Sequence, residues 1–277
     1  MSQSKGKFIV FEGLDGSGLS THSSLLRDWL KNQGYRVHLS AEPTDGPIGV
    51  LIRQILKDFT KIPKRPDILA LLFAADRLYH VGHESYGAGK REQEGLLNAM
   101  REGYVVISNR YILSSLAYQT IPYGGVEPSI EWVKEINKFH QNNGTPIPNL
   151  TIFLDVQPSD CITRIASERD RYELFENYAD LEAVYRKFKE LIAEQIFNAV
   201  SIKEVEGNRV RSISKVQDEI RSHVKTLLEG NKLQQSLINE AKPHRKKKSV
   251  MPGQHLLGVG TLEARITEED EGIRNAR

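Results

Sequence analysis

The chain has little of several things. Cysteine is almost missing: Cys161 is the single one in 277 residues. One thiol cannot build an internal disulfide framework or a cysteine-based zinc centre. No apolar run approaches the ~18 residues that a membrane-spanning helix needs. The opening "MSQSKGK" lacks the apolar core of a secretion signal. Net charge is small as well, at +2, which alone does not mark a nucleic-acid binder. These absences lead to the expectation of a cytoplasmic protein. What is present, 39% hydrophobic and 27% charged residues, is the make-up of a soluble globular chain. Its length suits one large domain, or one domain and a tail.

A further absence sits inside a motif. "FEGLDGSGLST" (Phe11 to Thr21) carries the glycines and the hydroxyl of the phosphate-binding pattern G-x-x-x-x-G-K-[ST], at Gly13, Gly18 and Ser20, but Leu19 stands where the lysine belongs. The surroundings fit the motif. "KFIVFEG" before it is a short apolar run rich in β-formers and reads as a buried strand. After it, Leu25, Leu26, Trp29 and Leu30 recur at helical spacing until Asn32 and Gly34 stop the pattern. Strand, glycine loop and helix start together aim backbone N–H groups and a helix dipole at phosphate.

Further strand-like runs lie at "YRVHLSAE", "YVVISN", "NLTIFLDV" and, more weakly, "NRVRSIS", with helical patterns between them. Alternation of this kind predicts an α/β fold, a parallel five-stranded sheet covered on both faces. Ligands in such sheets bind beyond the carboxyl ends of the strands. There the sequence places "GLDGSG", "EPTDGPIG", "NRY" and "QPSD". The globular pattern fades near Gly230, giving a domain over 1–229 and a polar tail over 230–277. Within the tail a basic block spans Lys242–Lys248 and an acidic run spans Glu268–Glu271. The basic block reads as a solvated tail, with nucleic-acid binding as the alternative.

The ordered landmarks "FIVFEGLDGSG", "EPTDGPIG", "LLFAADRLYH", "ISNRYILSSLAYQ", "IFLDV" and "RIASERDRYELFE" resemble the thymidylate kinases, P-loop nucleoside-monophosphate kinases, over about residues 7 to 225. The resemblance implies a three-layer P-loop NTPase fold with a short lid, and transfer of the γ-phosphate of ATP, held with Mg2+, to dTMP. It assigns the ATP phosphates to Gly13, Asp15, Gly16, Ser17, Gly18, Ser20 and Thr21, and the metal to Ser20 and Asn109. For dTMP it implies Asp15, Glu42, Phe73, Arg77, Arg110, Ser115, Tyr118 and Gln119. Phe73 would stack on thymine and Arg77 would bond its edge. The two stand four residues apart, on one helical face. Read alone, Phe73 is a core aromatic and Arg77 a surface partner of Asp76. Arg164, Arg169 and Arg171, in the lid-like segment, are the candidate catalytic clamps, because a guanidinium fork grips phosphate oxygens in pairs. The family's dimer surface implies a homodimer.

Three positions depart from the family pattern around the same chemistry. Leu19 replaces the loop lysine, Asn109 replaces an aspartate that orders magnesium, and Ala41 replaces an arginine that meets the acceptor phosphate. The stretch His80–Gly103 is also longer than is usual in the family. Phosphoryl transfer relies on positioning and charge, and losing one preorganised stabiliser costs about 10²–10³ in rate. The sequence therefore supports a weakened kinase, with an inactive nucleotide-binding pseudo-kinase or a regulatory partner as the alternative.

Overall fold

The structure is a computed structural model, and it describes residues 6–57, 62–82, 95–138, 145–168, 177–206 and 209–240, the last ten of them by backbone only. The basic block at Lys242–Lys248, the acidic run, residues 83–94 of the stretch His80–Gly103, and Arg169 and Arg171 lie outside the described residues.

In chain order the elements are β1 (Lys7–Gly13), α1 (Leu19–Asn32), β2 (Val37–Ala41), α2 (Pro47–Leu56), α3 (Pro66–Gly82), α4 (Leu96–Arg101), β3 (Val105–Asn109), α5 (Ile112–Tyr118), α6 (Ile130–Ile136), β4 (Leu150–Asp155), α7 (Pro158–Glu168), α8 (Tyr178–Ala193), β5 (Ala199–Lys203), β6 (Val205–Glu206), β7 (Arg209–Val210) and α9 (Ile213–Glu240). A five-stranded sheet runs in the order β2-β3-β1-β4-β5, and every pairing in it is parallel. This is the expected α/β architecture.

β1 lies at the centre because its sequence tolerates burial on both faces: Phe8, Ile9, Val10 and Phe11 are at most 1% exposed. The neighbouring strands are buried in the same way, Val105–Ser108 of β3 and all of β4. Across the sheet Phe153 meets Phe188 of α8 with ring centroids 5.2 Å apart. β2 and β3 lie to one side of β1, and β4 and β5 to the other. The crevice beyond the carboxyl end of β1 is therefore the switch point at which such sheets bind ligands.

The fifth strand was misplaced from sequence. It is not "NRVRSIS" but "AVSIK", Ala199–Lys203; Arg209–Val210 is half of a two-residue antiparallel pair with β6. The reason is physical. β5 is an edge strand in which Ile202 is the fully buried residue, so its apolar signal is faint. α9 runs on past Gly230 to Glu240.

Candidate active site

The phosphate loop has the expected context. β1 ends at Gly13 and α1 begins at Leu19, with Gly18 at φ 86° as the residue before the helix. Gly16, at φ +78°, faces α7: a β-carbon there would stand 2.6 Å from the Cys161 carbonyl oxygen. Only glycine lets α7 approach so closely, so α7 fixes the loop from one side. Ser17 is wholly buried, and its Oγ has no partner among the described residues. Ser20 and Thr21 are exposed at the helix start. Leu19 is 9% exposed and belongs to the hydrophobic core.

Beside the loop lies a cavity of about 190 Å³. All the side chains expected at the acceptor nucleotide line it. α3 presents Phe73, half-buried, and Arg77, 1% exposed. Arg77 does not pair with Asp76, as the reading of Arg77 alone had it. Its Nε and Nη2 donate to Glu42 Oε2 at 2.9 and 2.6 Å, Nη2 donates to Ser115 Oγ at 3.0 Å, and Nη1 donates to Asn137 Oδ1. Asp76 is buried instead under Thr44, whose N–H and hydroxyl donate to it at 2.7 and 2.6 Å. His80 Nδ1 lies 3.0 Å from Glu42 Oε1. The far wall comes from α5, which supplies Ser115, Tyr118 and, at its C-terminal cap, Gln119.

Asp15 and Arg110 close the cavity towards the loop. Arg110 follows β3 at φ 68°. Its Nη2 donates to Asp15 Oδ1 at 2.7 Å, and its Nη1 donates to the Gly13 carbonyl at 2.8 Å. Tyr118 donates its hydroxyl to Asp15 Oδ2 at 3.1 Å. Glu12 holds this corner from below. It is 0% exposed, and its Oε1 accepts the N–H groups of Tyr111 and Ser114 at 3.0 and 3.2 Å, while Ser114 Oγ donates to Oε2. Burial pushes the Glu12 carboxyl up to about 7, against the opposing pull of Ser114 and Arg110.

Of the three arginines expected in a lid, Arg164 falls within the described residues. Its Nη1 donates to the Gly16 carbonyl at 3.3 Å and its Nη2 to Glu204 Oε2 at 2.8 Å. Of the three positions expected to depart from the family pattern, Ala41 and Asn109 stand side by side at strand ends. Ala41 and Asn109 are register partners across β2 and β3, and Asn109 is the partner of Phe11 in β1. Asn109 Oδ1 is buried, with no hydrogen-bond partner among the described residues. Among those residues no group of three or more His, Cys, Asp and Glu gathers as a metal site, and no helix is long and apolar enough to cross a membrane.

Sequence reasoning missed Glu12, Arg53, His80, Asn137 and Glu204. A carboxylate inside the apolar run "KFIVFEG" was a usable signal for Glu12, because strand interiors rarely bury an acid without a purpose. Arg53, which lines the cavity and donates to the Pro43 and Thr44 carbonyls at 2.7 and 2.6 Å, sits in a helical pattern like any exposed arginine.

Comparison with known proteins points to one family. The family profile described as Thymidylate kinase matches residues 11–213. A probable thymidylate kinase of Pyrococcus horikoshii is 38% identical over 207 residues, covering 71% of this chain and 90% of the relative. The thymidylate kinase of Desulfotalea psychrophila is 35% identical over 231 residues, covering 82% of this chain and 98% of the relative. Among solved structures, the thymidylate kinase of Candida albicans superposes with a TM-score of 0.61 at 24% identity, over 82% of this chain and 93% of that one, a likeness of fold. The chain belongs to the thymidylate kinase family.

Proposed function

We propose that the protein transfers the γ-phosphoryl group of ATP to dTMP, giving ADP and dTDP. The observation that carries this reading is the acceptor cavity. Every side chain that family resemblance assigns to dTMP lines one space beside the phosphate loop.

The residues divide the work. Phe73 would stack on the base, and the Arg77–Glu42–Ser115 network would hold a donor edge for it in fixed orientation. Asp15 and Tyr118 would meet the sugar, and Arg110 would meet the acceptor phosphate. Backbone N–H groups between Gly13 and Ser20 would cradle the donor phosphates. Magnesium would enter with ATP. Ser20 Oγ and Asn109 Oδ1 are oxygen donors of the kind a hard cation takes, and the buried, unpartnered Asn109 oxygen fits that use. Both are neutral, so the phosphates would provide the anionic ligands. The ion supplies charge neutralisation along the β- and γ-oxygens.

Leu19 supports a second reading. A buried leucine cannot neutralise polyphosphate, and a nucleotide-holding pseudo-kinase needs less of that neutralisation. Incubating the full chain with ATP, magnesium and dTMP and separating the products by ion-exchange chromatography tests both. Formation of dTDP and ADP in equal amounts supports the kinase. Nucleotide binding without dTDP supports the pseudo-kinase.

A further inference from the structure

The loop lacks its lysine, yet a cation is fixed against it from outside. Arg164 reaches from α7 to the Gly16 carbonyl at 3.3 Å and to Glu204 at 2.8 Å. Glu204 follows β5, and its Oε1 lies 3.5 Å from the point where a β-carbon on Gly18 would stand. The Arg164–Glu204 pair thus spans the loop from Gly16 to Gly18, immediately before Leu19.

Glu204 is itself held. It is 7% exposed. His22 Nε2, from α1, lies 3.4 Å from Glu204 Oε1. Gln217 Nε2, from α9, is 2.8 Å from His22 Nδ1 and donates to the His22 carbonyl at 3.0 Å. The carbonyl takes only a donor, which sets the Gln217 amide; Nδ1 is then an acceptor, and the ring proton sits on Nε2, facing Glu204. Burial alone would raise the Glu204 carboxyl, but the bonds from His22 and Arg164 outweigh it and keep the group below the ordinary carboxylate range. Glu204 therefore stays ionised as an anchor.

We propose that Glu204, locked by His22 and Gln217, is the positioning residue that holds Arg164 against the phosphate loop, and that Arg164 there supplies ATP with the positive charge missing at Leu19. This inference rests on the reading of ATP as the donor. The Arg164 side chain remains 35% exposed, so the guanidinium is reachable. It carries five N–H donors, and its two anchoring bonds leave others to meet phosphate oxygens. A long side chain fixed beforehand loses less conformational freedom on binding than a free one. The anchoring groups follow β5 or stand on α1 and α9, so Arg164 is held against the loop by elements remote from it in sequence.

The test is a calorimetric cycle with MgATP on the full chain. Arg164→Ala should weaken MgATP binding by about 10- to 100-fold, the size of a lost charge-assisted contact. In a Leu19→Lys background the same change should cost less than about 3-fold, because the lysine takes over the charge. Glu204→Gln should weaken MgATP while dTMP affinity stays constant, and Arg164→Lys should fall between wild type and Arg164→Ala. Melting curves report folding. Should Arg164→Ala not fold, Arg164→Lys in the two backgrounds makes the same comparison. Equal costs with and without the lysine, tighter MgATP binding in Glu204→Gln, a parallel loss of dTMP affinity, or no MgATP binding by wild type would each overturn the inference. ATP binding without dTDP formation removes the kinase reading and leaves this inference standing. The dTDP product with no coupling between positions 19 and 164 does the reverse.

Discussion

Glu12 carries the sharpest single-residue consequence. A buried carboxyl raised from an ordinary 4.5 to about 7 prefers its proton in the folded state. Its contribution to stability is therefore full below the unfolded value and lost as pH rises through 7. At about 1.4 kcal/mol per unit, the loss across pH 5 to 8 is about 3 kcal/mol. Glutamine copies the neutral acid: its oxygen accepts from Tyr111 and Ser114, and its amide can donate to Ser114 Oγ. Denaturant titrations of Glu12→Gln should show a flatter pH dependence than wild type, with the largest gain above pH 7. Parallel curves for the two proteins would refute the protonated carboxyl. Phe73 provides a second residue-scale outcome. If it stacks on thymine, Phe73→Ala should weaken dTMP binding by about 1–3 kcal/mol and leave MgATP affinity alone. Unchanged dTMP affinity in calorimetry would remove Phe73 from the base site.

Among the elements, α7 and the phosphate loop form one fitted contact. The Cys161 carbonyl stands 2.6 Å from the β-carbon position of Gly16, a residue at φ +78°. Gly16→Ala must move α7 and strain the loop, at a cost of about 1–3 kcal/mol. A lower melting temperature and weaker MgATP binding are expected together. An alanine variant that melts and binds ATP like wild type would show that α7 yields freely. Elements also show what was legible in the sequence. β1, β3 and β4 were readable because strands buried on both faces keep short apolar runs, here Phe8–Phe11, Val105–Ile107 and Ile152–Leu154. β5 was not, since one fully buried side chain at a sheet edge leaves no pattern. The cavity wall on α3 and α5 came through the ordered segments "LLFAADR" and "SSLAYQ", and not from periodicity. Partners remote in sequence were invisible for another reason. Arg77 and Asn137 are 60 residues apart, and His22 and Gln217 are 195 apart. Only the packing of helices from distant parts of the chain brings them together.

For the whole molecule, α3 leaves Leu71 and Leu78 more than half exposed, at 53% and 52%. They are seven residues apart, on one side of the helix. A second copy of the chain is the proposed cover, giving the homodimer that family resemblance implies. Light scattering should then give about twice the 31.4 kDa chain mass, and Leu78→Glu should reduce it to the monomer. A monomeric wild type would contradict the dimer and leave the proposal for the cavity untouched. The cavity is where the account stands or falls. The decisive measurement is a competition: one reaction with the full chain, magnesium, ATP, and equal concentrations of dTMP, UMP, dCMP, dAMP and dGMP, followed by chromatographic identification of the diphosphates. A thymidylate kinase should give dTDP as the dominant product, with its share falling in Phe73→Ala. Another diphosphate in excess, or none above the protein-free control, would contradict that activity.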